Sequence, residues 1–189
     1  FASRKEHEVV YEGKAATPSV TVQTRCTTEY DGCMKVELTL KPGTGNEQAA
    51  PLESLALEIP LKDAMAPLFH CSTTALRRNP AGTIPDGEGR IWDSREFPDG
   101  EWRGNFHPYL WIGGEERGLC FFADNDRSWV LKKAEDGTFA PCQELIRQDG
   151  VLTMRINLVQ KPIQLQEPRT LVFGLMASPG KPMPKHWRN

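Results

Sequence analysis

The sequence predicts an all-β, two-sheet antiparallel sandwich of jelly-roll-like or supersandwich type, built from about a dozen strands with little helix. Two observations carry this. Apolar residues recur at every second position in segment after segment, the period that places alternate side chains on opposite faces of a strand. The 15 prolines and 16 glycines are spread so evenly that no long helical window survives between them. At 189 residues, 39% of them hydrophobic, the chain is the size of one large domain with one core.

Glu8–Tyr11 is a short first strand. Val20, Val22, Thr24 and Cys26 alternate with Thr21, Gln23 and Arg25; Met34, Val36, Leu38 and Leu40 alternate with Lys35, Glu37, Thr39 and Lys41. Asp31-Gly32 between the two runs supplies the positive φ of a tight hairpin. A two-residue turn there would set Tyr30 opposite Cys33 and Cys26 opposite Glu37. Leu55, Leu57 and Ile59 repeat the alternation, although Leu52–Ala66 also shows some helical spacing, broken at Pro60. Shorter strands are expected at Pro67–Cys71, Arg90–Asp93, Tyr109–Ile112, Leu119–Ala123, Trp129–Lys132 and Glu144–Arg147. Leu152, Met154, Ile156 and Leu158 mark another. In the last, Leu171, Phe173 and Leu175 point one way and Val172, Gly174 and Met176 the other; both sets are apolar, which predicts a strand covered on both faces.

Three stretches are irregular. Lys41–Pro51 is a polar connection, and Arg77–Asn105 is a long one that carries Trp92 and Trp102. A long loop holding aromatics is more often functional, or docked on a partner, than a mere connector. Residues 178–189 read as a Pro-rich linker following a sandwich domain at 1–177.

Charge and motifs exclude several functions. A net charge of -2 leaves no basic footprint for nucleic acid, and no apolar run is long enough to cross a bilayer as a helix. No C-x-x-C or H-x-x-x-H spacing suggests a metal, no phosphate-cradling loop or nucleophile elbow occurs, and no cofactor is expected. Five cysteines cannot all pair internally; free thiols, buried as small hydrophobes at Cys71, Cys120 and Cys142, are the expectation.

The candidate contact residues lie in the middle third. Trp92, Trp102, His107, Tyr109, Trp111 and Trp129 offer flat faces of the kind that stack on sugar rings, although core or interdomain packing is the first expectation for each aromatic and sugar contact the alternative. Tyr109 and Trp111 share one strand face and Leu110 and Ile112 the other, so one pair belongs to the core. His70, between Phe69 and Cys71, reads as a buried histidine, which leaves His107 the better site residue. Glu115-Glu116 reads as a solvated turn rather than a catalytic pair, because neighbours on a turn seldom converge on one glycosidic bond. Arg117 is expected to pair with Asp124 or Asp126, with sugar hydroxyls as the alternative partner. Asp124-Asn125-Asp126 opens like a calcium loop but lacks its glycine and distal glutamate, and Arg127 would repel a cation; an Asx-type turn fits better.

Two longer segments go further. PYLWIGGEERGLCFFADNDRSW at Pro108–Trp129 and LVFGLMASPGKPMP at Leu171–Pro184 resemble paired motifs of uncharacterised proteins similar to glycoside hydrolase family 123. The resemblance covers the second half of the chain well and the first half only by strand pattern. It implies a non-catalytic β-sandwich preceding a C-terminal barrel of the same parent chain, in a secreted or periplasmic protein. The acid pair of such hydrolases belongs to the barrel, and no catalytic residue carries over. The alternatives are an independent carbohydrate-binding module, or a sandwich enzyme acting on sugars through His107, Asp93, Asp124 and Arg127.

Overall fold

A computed structural model describes residues 1–43, 50–72, 79–95, 106–133, 135 and 137–180. Trp102 and the predicted linker segment 181–189 lie outside the described residues. The strands are β1 (Ser3–Arg4), β2 (Glu8–Ala16), β3 (Val20–Glu29), β4 (Met34–Pro42), β5 (Leu55–Lys62), β6 (Leu68–Ser72), β7 (Ala81–Thr83), β8 (Gly89–Asp93), β9 (Tyr109–Gly113), β10 (Gly118–Phe122), β11 (Gln143–Gln148), β12 (Val151–Val159) and β13 (Arg169–Ser178). They form a nine-stranded sheet, in order β1-β2-β3-β4-β13-β10-β9-β6-β7, and a four-stranded sheet, β5-β12-β11-β8. Every pairing within them is antiparallel. The predicted two-sheet sandwich is the observed fold.

The core lies between the layers. Leu40, Leu110, Ile112, Phe121 and Leu171 of the large sheet and Trp92, Leu145, Leu152, Met154 and Ile156 of the small one are all buried. Each alternates with an outward neighbour, so burial follows the strand period, and the transfer of these side chains from water is the main force holding the layers together. Because the small sheet has fewer strands, it cannot cover all of the larger one. Tyr11 on β2 is 45% exposed and packs on Phe1, with ring centroids 4.9 Å apart.

Several elements differ from expectation. The β3–β4 hairpin turns through three residues, Tyr30-Asp31-Gly32: Glu29 faces Cys33 through a hydrogen bond from Glu29 N to Cys33 O, and Gly32 takes φ +91°. Asp31 Oδ1 accepts the Cys33 N–H, which selects the longer turn over the two-residue one. Cys26 consequently faces Val36 rather than Glu37. Helical spacing at Leu52–Ala66 resolves into β5 followed by one 3₁₀ turn, Asp63–Met65. Pro60 is accommodated because β5 is a sheet edge, where a missing N–H breaks no ladder. Trp129–Lys132 forms an isolated parallel bridge, Val130 with Val159, instead of a strand. Ala81–Thr83, inside the stretch read as a connection, pairs with β6. Val172 is 43% exposed, because the small sheet lies against only one side of β13.

Candidate functional site

The outward side of the large sheet carries an aromatic surface. Its middle is built by the side chains of β9, β10 and β13 that alternate with the core: Tyr109 and Trp111, then Cys120 and Phe122, then Val172 and Met176. The rings lie in recesses made by glycine. A Cβ on Gly118 would sit 2.5 Å from Trp111 Cζ2 and Nε1, and one on Gly113 would sit 2.6 Å from Cζ2. A Cβ on Gly174 would collide with the Phe122 ring, and β10 and β13 pair Phe122 directly with Gly174. None of these three glycines has positive φ, so their role is space rather than backbone freedom.

Trp111 is further fixed by a hydrogen bond of 2.9 Å from Nε1 to Ser178 Oγ, which ties β9 to the end of β13. Half-buried Tyr109 meets the His70 ring edge-on at 5.5 Å. Burial first, and the neighbouring Cys120 second, raise the Tyr109 phenol above its usual range. Cys120 is pushed up to about 11, also mainly by burial.

A depression of about 810 Å³ opens beside this strip, floored by Phe122, Val172 and Gly174 and rimmed by Lys35, Asp124, Asn125 and Arg127. The rim loop is held by an Asx turn in which Asn125 Oδ1 accepts the Arg127 N–H at 3.0 Å. Ser128 adopts φ +70°, and its carbonyl accepts a hydrogen bond from Arg169 at 3.0 Å.

The structure divides the sequence-predicted residues. Tyr109, Trp111, Asp124 and Arg127 gather on this outward face. Asp126 is exposed in the same turn, its carbonyl accepting the Trp129 N–H. Arg117 projects from the β9–β10 hairpin and pairs at 3.6 Å with Glu116, not with Asp124 or Asp126. Glu115-Glu116 forms the hairpin tip, closed by Gly114 N–H to Arg117 O, as the solvated-turn reading requires. Trp92 (2% exposed), Trp129 (8%) and His107 (1%) belong to the interior. Trp92 stacks obliquely on Phe69 and His107, while Trp129 meets Phe106 and Phe121 edge-on.

His107 and His70 exchange the roles the sequence suggests. His70 alternates with inward Phe69 and Cys71, so it must face outward. His107 precedes β9 inside a buried polar knot: Nε2 contacts Ser94 O at 3.0 Å, and its backbone exchanges hydrogen bonds with the Gln143 side chain. Ser94 Oγ accepts from Cys142 N and Gln143 N. This knot joins the end of β8 to the starts of β9 and β11. Burial pushes the imidazole below its ordinary pKa, so the ring is neutral in the core.

The outward side of the small sheet carries a different set. Asp93 receives two hydrogen bonds from the Arg95 guanidinium, at 2.9 and 2.7 Å, and Glu144 receives Arg90 at 3.2 Å and Asn157 at 2.7 Å. Burial alone would raise the Asp93 pKa, but the Arg95 hydrogen bonds outweigh it and hold the carboxyl low. These acids are saturated by permanent cations. All five cysteines are free thiols. Among the described residues, no cluster of His, Cys, Asp and Glu could hold a metal ion, and no helix is long and apolar enough to cross a membrane.

The sequence alone does not single out Phe122, Lys35 or the recess glycines. Their signal, a glycine opposite an aromatic across a strand pair, is readable only once the register is known. No protein-family model matches the chain, and no curated protein matches it either.

Proposed function

We propose that this protein is a non-catalytic accessory β-sandwich of a carbohydrate-active protein, working beside a C-terminal glycoside hydrolase barrel of the same parent chain in a secreted or periplasmic setting. One observation carries the reading. The two segments that resemble family 123-like proteins, far apart in sequence, form the adjoining strands β9, β10 and β13 and jointly build the outward aromatic face. Glycines in both segments are spent on seating outward rings, which the core does not require. A surface shaped in this way is made for contact.

The residues of the enzyme alternative do not converge. Asp93 lies outward on the small sheet, His107 lies inside, and Asp124 and Arg127 rim the opposite face. A reacting bond cannot reach all of them, and geometry precedes pKa in acid–base catalysis. Purified protein assayed on aryl glycosides and N-acetylhexosaminides is expected to give no turnover above buffer. Turnover that co-purifies with the folded protein and disappears on its denaturation would defeat the proposal.

A further inference from the structure

Among the described residues, depressions follow one another across the outward face of the large sheet. One of about 570 Å³ spans β2, β3, β4 and β13 with a polar lining that includes Gln23, Arg25, Glu37 and Thr39. It shares Thr170 with the 810 Å³ depression floored by Phe122. A third, of about 430 Å³, holds His70, Tyr109 and Trp111 on β6 and β9. From β2 to β6 the track crosses six strand intervals, roughly 29 Å at about 4.8 Å each.

We propose that this track binds an uncharged oligosaccharide laid across the strands, with Trp111 and Phe122 as its stacking rings. The inference rests on the reading of the protein as carbohydrate-active and adds the ligand class, its direction and its contacts. Each ring is seated against glycine backbone on one side and lines a depression, Trp111 the third and Phe122 the 810 Å³ one, where the apolar face of a pyranose would stack. Trp111 is also pinned by Ser178, so little rotamer freedom remains to be lost on binding.

Charge complementarity selects a neutral ligand. The ions along the track nearly balance: Arg25 pairs with Glu12, Lys35 pairs with Glu37 at 3.1 Å, Asp124 and Arg127 share one rim, and Lys14 is left as one further positive charge. No single sign dominates to draw an anionic or cationic chain, while the same groups supply both donors and acceptors for hydroxyls. The length of the track selects a chain of several sugars over a monosaccharide.

The test is titration with four neutral hexasaccharides (cellohexaose, xylohexaose, mannohexaose and hexa-N-acetylchitohexaose) and one anionic one, oligogalacturonate, by calorimetry. Amide shift mapping of the unsubstituted protein runs in parallel. At least one neutral hexamer is expected to bind saturably, to shift amides on β9, β10 and β13, and to bind at least tenfold more tightly than oligogalacturonate. Trp111→Ala and Phe122→Ala should each weaken it about tenfold. Tyr30→Ala, on the exposed β3–β4 turn, should leave it unchanged. Gly118→Ala, which displaces the indole but keeps it, guards against a Trp111→Ala variant that fails to fold and should weaken binding likewise. Failure of every neutral hexamer to bind, preference for the anionic one, or shifts confined to other strands overturns the inference. A face silent to sugars belongs to a protein partner instead, and that outcome leaves the accessory reading intact; glycosidase turnover would sink the accessory reading whatever the binding result.

Discussion

Replacing Gly118 by alanine puts a methyl group where the Trp111 indole lies. The new carbon would sit 2.5 Å from Cζ2 and Nε1, far inside contact distance, so the ring must leave its recess. Its departure breaks the Nε1–Ser178 hydrogen bond, a loss of about 1 kcal/mol, and overpacking relieved by side-chain movement adds about 1–3 kcal/mol. Against this, alanine restricts the unfolded chain more than glycine does and offsets about 0.5–1 kcal/mol. The net expectation is a destabilisation of about 1–3.5 kcal/mol, or a fall of roughly 3–10 °C in Tm at about 3 °C per kcal/mol for a chain of this size. Gly113→Ala should cost more, because its Cβ would also strike the Arg117 carbonyl and the Gly118 backbone, which cannot swing aside. Gly82→Ala, with open space around it, is the control and should stay within about 0.5 kcal/mol. Urea unfolding of Gly118→Ala in the wild-type and Trp111→Ala backgrounds closes a double-mutant cycle. With the indole gone, the substitution should become neutral or slightly stabilising. An equal penalty in both backgrounds would refute the recess.

Three further outcomes follow from the interior. Burial keeps the His107 pKa below its unfolded value, so the unfolded chain binds the extra proton first; the resulting stability is complete above about pH 6.5 and declines as pH falls below it. His107→Gln should flatten the slope of urea midpoint between pH 7 and 5.5, and an unchanged slope would show that this ring does not titrate on unfolding. Arg147 donates to Asp63 at 2.8 Å and to the carbonyls of Pro85 and Gly87 at 2.7 and 3.1 Å. Arg147→Ala should cost about 2 kcal/mol and speed amide exchange at residues 84–88 while leaving β5–β12 amides protected. Cys71 and Cys142 are fully buried with thiols pushed up to about 12, so they should resist iodoacetamide until the protein unfolds, whereas half-buried Cys26 and Cys33 react first. Native labelling of Cys142 at the Cys26 rate would contradict the packing.

Strand period made most of the fold legible, because Met34–Leu40 and Leu152–Leu158 each bury one face. Where the period competed with chemistry, chemistry misled. His70 looks buried from its apolar neighbours, yet those neighbours point inward and force it out; His107 looks like a site residue, yet it serves a polar knot whose partners, Ser94 and Gln143, are distant in sequence. Trp92 and Trp129 fall inside because an aromatic in a short strand candidate says nothing of its face until the register is set. The three-residue hairpin at Gly32 depended on one side-chain hydrogen bond from Asp31, and such local contacts lie below the resolution of an alternation pattern. Of the candidate site, the sharing of one strand face by Tyr109 and Trp111 and the Asn125 turn could be read in advance; which face is outward, and the glycine recesses, required the pairing of β10 with β9 and β13.

Residue-resolved hydroxyl-radical footprinting of the native protein measures directly which aromatics face water. Trp111, Tyr109 and Phe122 are expected to oxidise in the folded state, and to be shielded by a bound neutral hexasaccharide, while Trp92 and Trp129 stay protected until unfolding. Oxidation of Trp92 and Trp129 alongside a protected Trp111 would reverse the two sides of the large sheet and contradict the assignment of its outward face as the contact surface.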